Sequence, residues 1–148
     1  MKFRFTLQAV LDQREHLQHE AELALGKAMQ AQGALERAHQ ELKDEFFHLT
    51  ENRGGVQFGD GERMMDYIWY AQRLKQCIAK KKQEIEEHKA EVEKARLHLV
   101  KRTQEKRAIE ILREGQLADF KLKEKRQMEK RTDESGQTRF ARADKEFT

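Results

Sequence analysis

The chain has 148 residues, 39% of them charged and 37% hydrophobic, with no proline, one cysteine and a formal net charge of +3. So little apolar material at this length excludes a thick globular core, and the missing proline removes the commonest helix breaker, so long helices with a thin apolar seam are the predicted form. A lone Cys77 excludes a disulfide framework and a thiolate cluster, and no apolar run approaches the roughly 18 residues of a membrane span or forms a signal-peptide core. A reducing, cytoplasmic setting is the expectation.

The chain opens Phe3-Arg-Phe-Thr-Leu7 and continues through Val10, Leu11, Arg14 and Glu15. Two phenylalanines at a spacing of two read as a short extended lead-in, and Leu7, Val10 and Leu11 as the start of an amphipathic helix. Steps of seven from Leu7 give Arg14, Ala21, Ala28, Leu35, Leu42 and Leu49. Steps from Val10 give Leu17, Ala24, Ala31, Ala38 and Glu45. Six heptads exceed what a coiled coil requires, so a first helix is predicted over about residues 5–50. Its alanine-rich middle, with Gly26 and Gly33, suggests close approach of a neighbouring helix at the expense of buried area.

Residues 51–61 concentrate half of the chain's glycines and form the predicted loop. Beyond it a second helix is predicted over about residues 62–131. Its seam series are Met64, Ala71, Ile78, Ile85, Val92, Leu99 and, alongside, Tyr67, Leu74, Ala95, Ile109. Lys81, His88 and Arg102 interrupt the latter, where their stems can still cover apolar surface. A short loop folds the helices into an antiparallel hairpin. The charge agrees: residues 1–60 carry 7 Lys+Arg and 10 Asp+Glu, residues 61–148 carry 23 and 17. The predicted fold class is therefore all-α, a long two-helix antiparallel coiled-coil hairpin in one domain spanning 1–148. With Leu49 opposite Met64, Leu7 faces about Lys106, leaving residues 107–131 as an overhang of about 35–40 Å. Ser135 and Gly136 suggest a helix stop and a frayed tail over 132–148.

Two regions stand out as candidates for binding. The overhang bears Ile109, Leu112, Leu117, Phe120 and Met128 interleaved with Lys121, Lys123, Lys125, Arg126, Lys130 and Arg131. It reads either as a solvated helix end or as a helix that docks onto an apolar and acidic surface. At the hairpin tip, Trp69 and Tyr70 fall off the seam, Phe47 points away from it, and Phe58 lies in the loop. They read as an interaction patch, or as a local cap built from Phe46, Phe58, Tyr67 and Trp69. His16 and His19 have a metal-compatible i, i+3 spacing but no evident third ligand, so no metal and no cofactor is predicted. With no sheltered nucleophile, phosphate loop or carboxylate pair, an enzyme is not predicted. Lys and Arg alternate with Glu along both helices, which argues against a specific nucleic-acid surface, although Arg73–Lys82 and Lys121–Arg131 are locally basic.

The opening resembles the start of the FliJ family of flagellar export proteins through Phe3, Phe5, Leu7, Val10, Leu11, Arg14 and Glu15. Tyr67, Tyr70 and Leu74 in YIWYAQRL are similar to that family's aromatic-rich entry to the second helix. Phe120, Arg126, Glu129, Asp133, Glu134 and Arg139 resemble its charged closing motif. Gly115 and Gly136 depart from the pattern. The resemblance implies a non-enzymatic component of the flagellar type III export apparatus, similar to the central stalk of rotary ATPases. It implies terminal ends inserted in a hexameric export ATPase (FliI-like), contact with an export gate protein (FlhA-like), escort of export chaperones, and a place at the cytoplasmic face of the inner membrane. On that basis Leu117, Phe120, Lys123 and Arg126 are assigned to the ATPase ring and Trp69, Tyr70 and Leu74 to the gate. A monomer is expected, because the hairpin satisfies most of its own seam. The alternatives are the equivalent stalk of a virulence secretion system, a basic coiled coil binding nucleic acid, and a purely structural dimer.

Overall fold

The structure is a computed structural model that describes residues 2–51 and 61–146. Helix α1 spans Gln8–Glu51 and helix α2 spans Gly61–Glu146. Residues 2–5 carry no regular structure and Thr6–Leu7 form a turn, so the helix begins three residues later than predicted and the lead-in is not helical. The turn closes through the Gln8 N–H donating to the Phe5 carbonyl at 3.1 Å. The predicted loop lies almost wholly outside the described residues. Contacts group the chain into two compact units, residues 17–102 and residues 1–16 with 103–148.

Within residues 17–102 the helices pair antiparallel: Tyr70 of α2 reaches Glu45 of α1, and His88 reaches Ala28. Ala21, Leu74, Ile85 and Val92 are buried, while Ala28, Leu35, Leu42, Leu49, Met64, Ala71, Ile78 and Leu99 are half-buried. Every described position of the two α2 heptad series from Met64 and Tyr67 is thus covered, including Lys81, His88 and Arg102. A thin seam admits such polar residues because each keeps a partner. Lys81 pairs with Glu84 at 3.1 Å, and the His88 Nε2–H donates to the Ala28 carbonyl at 2.8 Å.

On α1 the series from Leu7 holds at every step. The second stripe holds in part: Val10, Leu17 and Ala38 are covered, Ala24, Ala31 and Glu45 are exposed, and the positions one residue on, Leu25, Gln32, His39 and Phe46, are covered. The glycines do not mark a close approach, since a Cβ on Gly26 would meet nothing within 4 Å and one on Gly33 only the Arg37 side chain at 3.8 Å.

In the other unit, Phe5 and Leu11 are buried. The Phe3 and Phe120 rings pack at 5.6 Å between centroids with a 54° tilt, and the Arg113 guanidinium stands 5.9 Å from the Phe3 ring centre. Arg14 donates to Glu105 at 2.8 Å. The lead-in therefore reaches Phe120, well past Lys106. Residues 107–120 are not the bare overhang that helix-on-helix counting predicted; the bare part starts at Lys121, from which every described residue to Glu146 is exposed. Nor does α2 stop near Arg131. It runs through Ser135 and Gly136 because long-stemmed Lys, Arg, Glu and Gln dominate, and one interior glycine costs only about 1 kcal/mol.

Candidate functional site

Of the residues assigned to a ring-binding end, Leu117 and Phe120 are half-buried, Phe120 beneath the Phe3 ring, whereas Lys123 and Arg126 are exposed. Phe120 thus helps to hold the lead-in, and the exposed apolar surface beyond it consists of Met128, part of the predicted stripe, with Leu122 and Phe140, which the spacing argument passed over. Leu122, Met128 and Phe140 are 48%, 65% and 75% exposed. Phe120, Lys123, Met128 and Arg131 line one shallow groove with Glu124 and Gln127, so the cations and the apolar side chains share a face. Leu122 and Phe140 were detectable only as large apolar residues on a helix with no seam left to join.

Electrostatics separate the covered and bare parts of this unit. In the covered part Arg107 donates to Glu110 at 3.2 Å and to Glu114 at 3.1 Å, and Lys106 lies 3.5 Å from Glu110. The Arg107 hydrogen bond, then the Lys106 contact, hold the Glu110 carboxyl below its ordinary range despite some desolvation. Beyond Phe120, none of Lys121, Lys123, Lys125, Arg126, Lys130 and Arg131 has an ion pair among the described residues. Six cations face only Glu124 and Glu129 between residues 121 and 131, a collar of surplus positive charge on an unpartnered helix.

In the 17–102 unit, Trp69 is 68% exposed and lines a shallow surface with Asp66, Tyr70, Arg73 and Gln76. The Tyr70 hydroxyl donates to the Glu45 carboxylate of α1, and that bond raises the phenol's pKa above its ordinary value. Leu74 departs from its assignment. It is 5% exposed and belongs to the seam, one α2 turn beyond Tyr70 but rotated inward, so it supports the Trp69–Tyr70 face from beneath and is not offered to a partner. The alternative aromatic cap is not formed by Trp69, which stands in solvent, and Phe58 lies outside the described residues; Phe46 and Tyr67 are half-buried.

His19 lies 3.9 Å from Glu22, and among the described residues no three His, Cys, Asp or Glu side chains converge as metal ligands do. No helix among those residues is long and apolar enough to cross a membrane. A family model described as "Flagellar FliJ protein" matches residues 2–145, and neither the curated proteins nor the solved structures yield a match.

Proposed function

The chain belongs to the flagellar FliJ family, components of flagellar type III export, and from that premise we propose that it is the non-enzymatic stalk coupling the export ATPase ring to the export gate. The observation that carries the reading is the C-terminal part of α2: 26 consecutive exposed residues, a collar of unpaired cations and three large apolar side chains without a partner in their own chain. An unpaired helix of that length is marginal in water and is stabilised by insertion into another protein. Lys123, Arg126 and Met128 supply the entry contacts to the ring and Phe140 the deepest apolar one. Trp69 and Tyr70 meet the gate, with Leu74 beneath them. Escort of export chaperones, a role in motility, and a cytoplasmic location at the face of the inner membrane belong to the same proposal, as does a monomeric state.

The decisive experiment truncates the chain after Phe120, which preserves the Phe3–Phe120 contact and removes only the bare helix. The truncated protein keeps its remaining helix content by circular dichroism and loses both retention of the purified hexameric export ATPase and stimulation of its hydrolysis. Undiminished retention and stimulation would remove the bare helix from the mechanism.

A further inference from the structure

A groove in the 17–102 unit has no role in the stalk reading. Phe46 and Phe47 of α1 and Ile78 and Ala79 of α2 floor it, and Lys43, Lys75 and Lys82 stand at its rim with no carboxylate in the lining. We infer that this groove is a docking site for an acidic amphipathic helix of another protein.

The first support is exposure without function in the fold. Phe47 is 58% exposed, and among the described residues its ring partner is His48, met at the edge with 6.1 Å between centroids. A Phe on the solvent side of a helix that already has a seam gains nothing from folding, and burying it against a partner removes apolar area from water.

Charge is the second. Neighbouring lysines of α2 pair locally where a carboxylate is at hand, Lys81 with Glu84 and Lys89 with Glu86, each at 3.1 Å. Lys43, Lys75 and Lys82 have no ion pair among the described residues; Lys75 instead lies 5.7 Å over the Phe46 ring. Three unpaired ammonium groups around one apolar floor select carboxylates on whatever lies there.

Shape is the third. The α1 contributors Lys43, Phe47 and Thr50 are spaced i, i+4, i+7, and the α2 contributors Lys75, Ile78, Ala79 and Lys82 are spaced i, i+3, i+4, i+7. Such a trough between two antiparallel helices runs about two turns, about 10 Å, which matches the footprint of one more helix carrying apolar residues at i, i+3 or i+4, and i+7. The Thr50 hydroxyl already donates to the Phe47 carbonyl at 2.8 Å, leaving apolar fit and charge to set selectivity. At 100° per residue, Lys75 and Lys82 lie across the seam from Trp69 and Arg73, so the groove is separate from the proposed gate face.

The probe is a fluorescent synthetic helix with leucines at that spacing and glutamates on both flanks. Two controls accompany it, an isomer of identical composition with its leucines off one face and a version with lysines for glutamates. Anisotropy with the full chain should show the glutamate peptide binding at least tenfold tighter than either, and more weakly as salt rises. The triple variant Lys43→Glu, Lys75→Glu, Lys82→Glu should lose the glutamate peptide tenfold or more and gain the lysine peptide. Phe47→Ser should weaken both, and Ala79→Glu, on an exposed α2 position, repeats the measurement should Phe47→Ser lose helix. Equal binding of the isomer, indifference to charge reversal, or binding of anionic vesicles in place of the peptide would overturn the inference. The chain truncated after Phe120 should bind the peptide as the full chain does, so this result is independent of the ATPase ring.

Discussion

Two stretches of α2 in one unit, residues 103–120 and residues 121–146, are both helical throughout yet stand in opposite situations. The first is ion-paired and flanked by Phe3 and Phe5 of the lead-in and Leu11 of α1; the second is exposed at every described position, and its cations from Lys121 to Arg131 have no ion pair among the described residues. Helical propensity alone carries α2 through both. The covered stretch has an opposing segment of its own chain, and the boundary at Phe120 separates the residues that hold the fold from those that stand exposed.

The comparison is sharpened most by a pair of substitutions in the other unit. Leu74→Ala, at a buried seam position, should cost about 2–4 kcal/mol and lower the thermal midpoint clearly. Trp69→Ala, on the exposed face nearby, should stay within about 0.5 kcal/mol while still weakening binding to the export gate protein. Equal effects on stability would erase the distinction between seam and surface on which the site assignments rest.

Next in size is the boundary itself. Phe120→Ala and Phe3→Ala should each destabilise, and a double-mutant cycle should return a coupling of about 0.5–1.5 kcal/mol for the tilted ring pair. Met128→Ala, eight residues on, should leave thermal stability unchanged. Coupling near zero would mean the lead-in does not hold α2 there, and the bare region would then begin nearer Lys106.

Much of this was legible beforehand. Counting by sevens from Leu7, Met64 and Tyr67 finds covered positions throughout, because a period depends only on helix geometry. Two things were not. The second α1 stripe includes Leu25, Gln32, His39 and Phe46 and leaves Ala24 and Ala31 exposed, since a helix facing one partner can be rotated by part of a residue step when small side chains fit either side. The reach of the lead-in was also hidden. Four residues outside a helix can span up to about 13 Å, as much as nine helical ones, and the register is also shifted, Arg14 reaching Glu105, so Phe3 lands far beyond the point where helix-against-helix counting stops. Leu74 shows a different failure: its spacing placed it on the seam, and likeness to a family motif drew it to the surface.

Smaller effects probe the bare stretch. Gly136→Ala should stabilise the local helix by up to about 1 kcal/mol, since a Cβ there meets nothing within 4 Å, and hydrogen exchange around residues 132–140 should slow. Gly115→Ala, in the covered part, also has open space and should gain as much. A fall in export alongside that gain in stability would mean that a partner helix approaches that face in the assembled apparatus.

The finest test concerns pH. Glu110 is held ionised first by Arg107 and then by Lys106, so its folded pKa lies below its unfolded one. Its contribution is therefore present above the ordinary carboxylate range and is lost as pH falls through the lowered folded value. Because the group sits at a solvated surface, the effect is small and weakens further with salt. Thermal midpoints of the wild type and Glu110→Gln should differ near neutrality and converge in acid. Arg107→Gln should remove most of that difference, because the guanidinium and not burial is what lowers the carboxyl. A gap that persists unchanged into acid would mean that Glu110 acts through packing of its stem, and the paired character of the covered stretch would then owe nothing to charge.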